Sequence, residues 1–340
     1  MDGTRKVRTV VVGSGFGESH LSALMETGRC EPVRLIYRSN KPRAQKIADR
    51  YSIPSVSDDI SSAFECESDL VVICTPVYSH FELSKAALER GRMVSCDKPL
   101  SLNVSEAFEL SSLAEGLGIS TLTFFQWRQH GGCRCLKDYL TRGALGAVRE
   151  IHGSFDHDFL AANMTDWDWR HKTETAGAGA LADLGVHLID LQIWLMDEVP
   201  EVTGAASCIV YPQRLNSNGR SIQCETEDIS HAEFHFPGSD AMGSFRASRV
   251  STGMRRIVVS IIGEFASVDL CIATDTGAYE INFHGDGPAA GKTPVPAWPN
   301  GSLYTSWFSA LSEGRPWSPS FREGAIVQSV SDQIVELANC

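Results

Sequence analysis

Apolar positions in the first third of the chain fall in short, unbroken runs. Val7–Val12, Val33–Tyr37, Asp69–Cys74, Arg92–Cys96 and Ile119–Phe124 are rich in β-branched and other apolar residues. Strands buried on both faces look like this. Between the runs lie segments with helical spacing, namely Ser19–Thr27, Arg43–Arg50, Phe81–Arg90 and Ser105–Glu115. Gly91 and Gly116 are the expected stops of the last two. Strand and helix in alternation imply βαβ units and a mainly parallel sheet.

Near Phe125 the pattern changes. A helix-like stretch, Gly132–Arg142, is followed by alternating segments at Val148–Phe155, Ser207–Tyr211, Ser230–Phe236, Ala241–Ser248, Ile257–Gly263 and Ala266–Ile272. Alternation suits an antiparallel sheet with one solvated face. Helices are expected over Ala180–Met196, Leu303–Ser312 and Glu323–Ala338, and a Gly/Pro-rich loop over Gly285–Gly301. With 340 residues, the expectation is two domains, 1–124 and 125–340.

Composition narrows the function classes. Hydrophobic residues make up 43% and charged residues 21%, the balance of an ordinary globular chain. The formal net charge of −12 and the lack of a basic run argue against a nucleic-acid binder. The 10 cysteines include no Cys-x-x-Cys pair, and Cys74 and Cys96 sit in apolar runs. They read as small hydrophobes, so neither a zinc ribbon nor a disulfide framework is expected, and reduced thiols suit a cytoplasmic protein. No apolar run approaches the ~20 residues of a membrane span. The short apolar stretch near the N-terminus leads into glycines and reads as a first strand.

Those glycines carry chemistry. Gly13-Ser14-Gly15-Phe16-Gly17 follows a strand and opens a helix, the setting in which a glycine turn holds a dinucleotide pyrophosphate over a helix N-terminus. The third glycine stands one place earlier than in G-x-G-x-x-G. At the second strand tip an acid usually holds the ribose hydroxyls of NAD, but here the chain reads Arg38-Ser39-Asn40-Lys41. Arg38, Ser39 and Lys41 suit a 2′-phosphate, so NADP is favoured over NAD.

Further candidates follow. Lys98 comes after a strand, at the sheet edge where ligands of open α/β folds bind. Near an oxidised nicotinamide its protonated form is disfavoured, which suits proton exchange with a hydroxyl. Asp183 and His187 stand four residues apart, on one face of a helix, a spacing that by itself reads as a surface pair. Zinc is the rival use of this pair, but the sequence shows no convincing third ligand, so no metal is expected. Gln126 and Arg128 lie at the domain junction, where ligand sites are often found. Trp167, Trp169 and Arg170 precede the Asp183 helix, where core packing is an equal reading of the aromatics. His152, His157, His231 and His235 read as structural or surface residues. The acids Asp156, Asp158, Asp166, Asp168 and Glu174 would steer cations if they lined a cleft mouth, favouring amino sugars over nucleotide-linked ones.

Gly13–Gly17, Thr75-Pro76 with His80, Asp97-Lys98-Pro99 and the stretch GAGALADLGVHLIDL from Gly177 to Leu191 occur in one order along the chain. In this set the sequence resembles the Gfo/Idh/MocA family of glucose–fructose oxidoreductase and inositol dehydrogenase. The likeness runs from Val7 through Pro319-Ser320-Phe321 to the last helix. It implies an α/β protein, with an N-terminal Rossmann doubly wound parallel sheet and a C-terminal α/β domain built on a large open, mainly antiparallel sheet. It further implies a carbohydrate or cyclitol substrate and a homo-oligomer, dimer or tetramer. The implied catalytic residues are Lys98, Asp183 and His187. The implied cofactor residues are Gly13, Ser14, Gly15, Phe16, Gly17, Arg38, Ser39, Lys41, Thr75, Pro76, His80, Asp97 and Lys98. Substrate contacts would come from Gln126, Arg128, Trp169, Arg170, Asp183 and His187.

Two departures stand out. Asp97 replaces the family's commoner Glu, keeping the carboxylate, and Arg38 replaces the acid of NAD-using members. The implied activity is oxidation of a secondary hydroxyl of a sugar, amino sugar or cyclitol ring to a ketone. In overall character the chain resembles members that tailor aminoglycoside antibiotics. A ketone reductase, a self-recycling oxidoreductase and a non-catalytic dinucleotide sensor are the alternatives on the same fold.

Overall fold

The computed structural model describes residues 5–162, 166–285 and 301–338. In the first unit the expected alternation is present. Strands β1 (Val7–Val12), β2 (Cys30–Ile36), β3 (Val56–Ser57), β4 (Leu70–Ile73), β5 (Met93–Cys96) and β6 (Thr121–Thr123) form one parallel sheet in the order β3-β2-β1-β4-β5-β6. Helices α1 (Gly17–Glu26), α2 (Lys41–Tyr51), α3 (Ser62–Glu65), α4 (His80–Leu88) and α5 (Val104–Leu117) connect them. The central strand β4 is apolar and buried throughout, and its neighbours β1 and β5 are largely so, because both faces are covered. Helix α5 passes through Gly116 and stops at Gly118, whose φ of 63° supplies the left-handed cap.

The second unit opens with α6 (Gly131–Thr141) and β7 (Val148–Asp156). After a separate single turn, α7 (Thr173–Ala176), the helix expected over Ala180–Met196 has two parts, a π-helical turn at Leu181–Gly185 and α8 (Val186–Met196). By length and composition Thr173–Met196 is apolar enough to cross a membrane, yet 83% of its most apolar window is buried, as in a core helix. Next come β8 (Glu201–Cys208), a hairpin of β9 (Gln213–Leu215) and β10 (Ser221–Gln223), and then β11 (Ile229–Phe236), β12 (Ala241–Ser248), β13 (Arg256–Gly263), β14 (Ser267–Ala273) and β15 (Tyr279–His284). Seven strands make one sheet, β15-β14-β13-β7-β12-β11-β8, antiparallel except at β12–β7. The strand expected at Ser207–Tyr211 runs earlier, because β8 is a sheet edge with little burial to mark its pattern. The hairpin and β15 had no apolar alternation strong enough to announce them. Residues 286–300 of the expected loop lie outside the described set.

The chain then returns. The division between units falls at Phe125/Gln126, but Ser302–Ala325 also belongs to the first unit, including α9 (Leu303–Glu313) and the start of α10 (Phe321–Ala338). One face of the parallel sheet, with Val11, Leu35 and Val72, is packed by α1, α2 and Tyr304, Trp307 and Phe308 of α9. Phe321 and Ala325 join α3, α4 and α5 on the other face. Trp307 is fully buried and donates to Ser120 Oγ at 2.8 Å.

The entry to the π turn is capped from a distant segment. Gly177 leaves α7 at φ 73°. The Glu227 carboxylate then accepts the N–H groups of Gly179 and Leu181 at 2.8–2.9 Å, and the Glu227 carbonyl accepts that of Ala180 at 2.8 Å. Donors at a helix start need such acceptors. The approach requires glycine, since a Cβ at Gly179 would sit 2.0 Å from the Glu227 carbonyl oxygen.

This packing makes stability testable at two points. Trp307→Ala should cost about 3–5 kcal/mol in denaturant unfolding, and a loss under 1 kcal/mol would show that α9 is dispensable to the first core. Burial pushes the Glu227 carboxyl up, against the pull of its backbone donors. The folded state therefore keeps a proton that the unfolded chain has released, and this residue's contribution to stability falls as pH rises through that raised value. Glu227→Gln, which retains an acceptor and sheds the charge, should unfold within about 1 kcal/mol of the parent and flatten that pH dependence. Glu227→Ala should lose about 1–3 kcal/mol by orphaning the donors. Equal losses for both would contradict the capping role.

Candidate active site

In the first unit the glycine turn is shaped by close packing. Gly13 ends β1 at φ 114°, donates to the Ile36 carbonyl at 2.9 Å, and would place a Cβ 2.5 Å from the Cys74 carbonyl oxygen. Gly15 faces open space, with nothing within 4 Å of the point where a Cβ would stand. Phe16 precedes α1 without a side-chain cap, so the first turn keeps donors for an anion. An open glycine backbone over an uncapped helix start fits a dinucleotide pyrophosphate.

The β2 tip brings further cations to this turn. Arg38 donates to the Tyr78 hydroxyl and lies 5.8 Å from that ring's centroid. Arg43, from the first turn of α2, donates to the Gly15 carbonyl at 3.0 Å. Sequence reasoning missed Arg43 and Tyr78, because nothing local couples them to the glycines. Ser39 and Lys41 are exposed, and Asn40 caps α2 through the Arg43 N–H at 3.0 Å.

The strand-end loops after β4 and β5 are tied together from inside. Both ring nitrogens of His80 lie 2.8 Å from carbonyl oxygens, one of Thr75 and one of Pro99. Burial pulls the His80 pKa down while the nearby Asp97 pulls it up. Thr75 Oγ1 accepts from Ser79 at 2.7 Å, and the Asp97 carboxylate accepts the Lys98 N–H at 2.8 Å. His80 thus braces the two loops from inside. A second buried brace, also unforeseen, joins α1, β5 and α9. His20 Nδ1 lies 2.7 Å from the Tyr304 hydroxyl, itself 2.9 Å from Ser95 Oγ. Burial lowers the His20 pKa.

In the second unit Asp183 lies in the π turn and His187 near the start of α8, where the imidazole is 4% exposed and 6.1 Å from the Phe155 ring. Arg249 Nη1 donates to Asp183 Oδ2 at 3.1 Å, and Arg170 Nε stands 3.7 Å from Oδ1. Arg249 is fully buried, and its Nη2 reaches Thr226 Oγ1 at 3.3 Å and Asp228 Oδ1 at 3.5 Å. Arg170 also pairs with Asp168 at 2.9 Å and stacks 4.5 Å from the Trp169 ring centroid. The pair expected on one α-helical face is therefore set by a π-to-α junction and held by a guanidinium that the sequence did not flag.

Other candidates take different places. Arg128 is 5% exposed and forks onto Asp190 through Nε and Nη2 at 2.6–3.1 Å, one turn beyond His187. Its position makes it a buried support for α8, while Gln126 is exposed. Trp167 donates to the Gln223 carbonyl at 3.2 Å and anchors the hairpin. The acids expected to form an attracting field are mostly matched: Asp156 by Arg246, Asp158 by Arg255, Asp168 by Arg170 and Glu174 by Lys172. Paired charges largely cancel at a distance, which weakens the electrostatic case these acids make for a cationic substrate. Among the described residues no cluster of His, Cys, Asp and Glu could hold a metal ion.

Known proteins share this fold. Residues 7–123 match the family model described as "Oxidoreductase family, NAD-binding Rossmann fold", and residues 133–269 that of the GFO/IDH/MocA C-terminal domain. Levoglucosan dehydrogenase of Pseudarthrobacter phenanthrenivorans is 27% identical, covering 96% of this chain and 95% of its own. D-glucoside 3-dehydrogenase of Escherichia coli is 28% identical over 56% of this chain and 54% of its own. The solved levoglucosan dehydrogenase complex with NADH superposes with a TM-score of 0.85 at 24% identity, covering 98% and 97% of the two chains. GenD2 from gentamicin A biosynthesis, in complex with NAD, gives 0.75 at 21% identity, covering 100% and 96%. With both halves matched to one family, the chain belongs to the Gfo/Idh/MocA oxidoreductases, whose nicotinamide dinucleotide cofactor fits its glycine turn.

Proposed function

We propose that this oxidoreductase oxidises a secondary hydroxyl of a sugar or cyclitol ring to a ketone with NADP as the favoured acceptor. The observation that carries the reading is the Asp183–His187 pair, fixed on one helical segment beside a Trp169–Arg170 platform. The dehydrogenases of levoglucosan and D-glucosides support a carbohydrate substrate. Among carbohydrates, amino sugars of the aminoglycoside kind remain within the reading, supported by the GenD2 likeness rather than by charge.

Held at the glycine turn, a nicotinamide dinucleotide would supply the hydride acceptor for the carbinol carbon. His187 takes the hydroxyl proton, and Lys98 shares in its transfer. Asp183 accepts a hydrogen bond from the substrate and orients it, since two guanidinium groups already hold its carboxylate. Gly13–Gly17 hold the pyrophosphate, with Ser14 and Phe16 in the turn. Arg38, with Ser39, Lys41 and Arg43, holds the 2′-phosphate. Thr75, Pro76 and Asp97 shape the strand-end loops, which His80 braces. Gln126 contributes to substrate binding. The reading carries with it a homo-oligomer and a cytoplasmic setting, in keeping with the free thiols.

Cofactor titration tests the first part. NADP should bind more tightly than NAD, and Arg38→Asp should erase or reverse the order; tighter NAD binding by the unaltered protein would remove the 2′-phosphate assignment. Single-turnover hydride transfer, on the best member of a panel of levoglucosan, glucosides, cyclitols and aminoglycosides, tests the second. Lys98→Ala and His187→Ala should each slow it by roughly 10²–10⁴-fold with a smaller change in cofactor Kd. Near-parental rates in both would place the proton transfer elsewhere.

A further inference from the structure

Arg249 comes directly after β12, beside the end of its parallel neighbour β7, where Ser248 pairs with Asp156. It is fully buried, and a buried cation persists only with partners that repay its desolvation. Its partners lie on two segments. One is Asp183 in the π turn, at 3.1 Å; the other is Thr226 and Asp228, at 3.3 Å and 3.5 Å. The second segment is already anchored. Asp228 Oδ2 accepts the N–H groups of Val210 and Tyr211 at 2.9–3.0 Å, and the neighbouring Glu227 grips residues 179–181. Arg249 thus joins the rigid Thr226–Asp228 stretch to one oxygen of the Asp183 carboxylate. Arg170, partly exposed and shared with Asp168, stands farther off at 3.7 Å from the other oxygen.

We infer that Arg249 is the positioning residue for Asp183. It sets the direction of the carboxylate from behind and never touches substrate itself. The inference rests on the reading of Asp183 as a substrate-orienting group. Its consequence is specific. A carboxylate displaced by a fraction of an ångström should lower kcat, because orientation errors of about 1 Å cost roughly 10²-fold in rate. Cofactor binding, made by residues of the first unit, should be untouched.

The test is a double-mutant cycle between Arg249→Lys and Asp183→Asn. Hydride transfer to NADP would be followed with levoglucosan, or with whichever ring of the panel turns over. Thr226→Val serves as a milder companion that removes an acceptor of the guanidinium and leaves every charge in place. Arg249→Lys, which retains the charge but not the fork, should lower kcat by about 10–100-fold. The cofactor Kd should change less than about threefold, and Arg249→Met should be worse than Lys. Thr226→Val should lower kcat in the same direction by less. In the double variant the loss should be no greater than that of Asp183→Asn alone, since Arg249 would then act only through the missing carboxylate. Losses that multiply in the double variant would overturn the inference, as would full activity in Arg249→Lys or a fall in cofactor affinity that matches the fall in kcat. Full activity in Asp183→Asn would instead overturn the underlying reading of Asp183, and the inference with it.

Discussion

One residue, Glu227, takes the backbone N–H groups of Gly179, Ala180 and Leu181 with its carboxylate and its carbonyl, and the candidate chemistry of the second unit depends on that grip. The contact is possible only because residue 179 has no side chain. After α7 ends, the donors at 179–181 are satisfied by this neighbouring segment and the chain enters a π turn. A π turn inserts extra backbone into a helix and re-aims the residues it carries. Asp183 sits in that turn and His187 just past it. Their relation is therefore a product of tertiary capping as much as of spacing.

The same segment concentrates buried charge. Arg249 with Asp183 and Asp228, and Arg128 with Asp190, are ion pairs largely withdrawn from water. Such pairs add little net stability over well-packed apolar groups, because desolvation offsets the Coulomb attraction. What they provide is geometry. A guanidinium fork accepts few orientations of a carboxylate, so each pair restricts a side chain that would otherwise sample several rotamers. Arg128–Asp190 steadies α8 one turn beyond His187, and Arg249 fixes Asp183 on the preceding turn. The helix is held on both sides of the imidazole.

The first unit solves a different problem with the same economy of means. Its sheet is apolar on both faces, and the first 125 residues alone do not cover them. Helix α9, more than 170 residues beyond β6 in sequence, completes one face with Tyr304, Trp307 and Phe308. Tyr304 also reaches His20 and Ser95, so the returning helix touches both the element behind the glycine turn and the strand that leads to Lys98.

Much of this was legible from residue order. The period of apolar positions located β1 and β12 to the residue, and most other strands and helices within a few positions, because burial on a regular element repeats at short range. Gly13 was readable because a tight turn between strand and helix needs a residue without Cβ. Spacing put Asp183 and His187 on one face, and the order of short motifs pointed to the family whose likeness gave the pair a role. Local pattern carries no record of which distant segment arrives. For that reason it placed α9 with the wrong core, read an unbroken helix through a π turn, did not foresee the Arg128–Asp190 fork or the His80 brace, and passed over Arg43 and Arg249. Asp183 and Arg249 are 66 residues apart in sequence and hydrogen-bonded in space. Only the packing of strand against helix decides such a pair, since the two side chains come within 3.1 Å of each other only once the sheet has closed over the π turn.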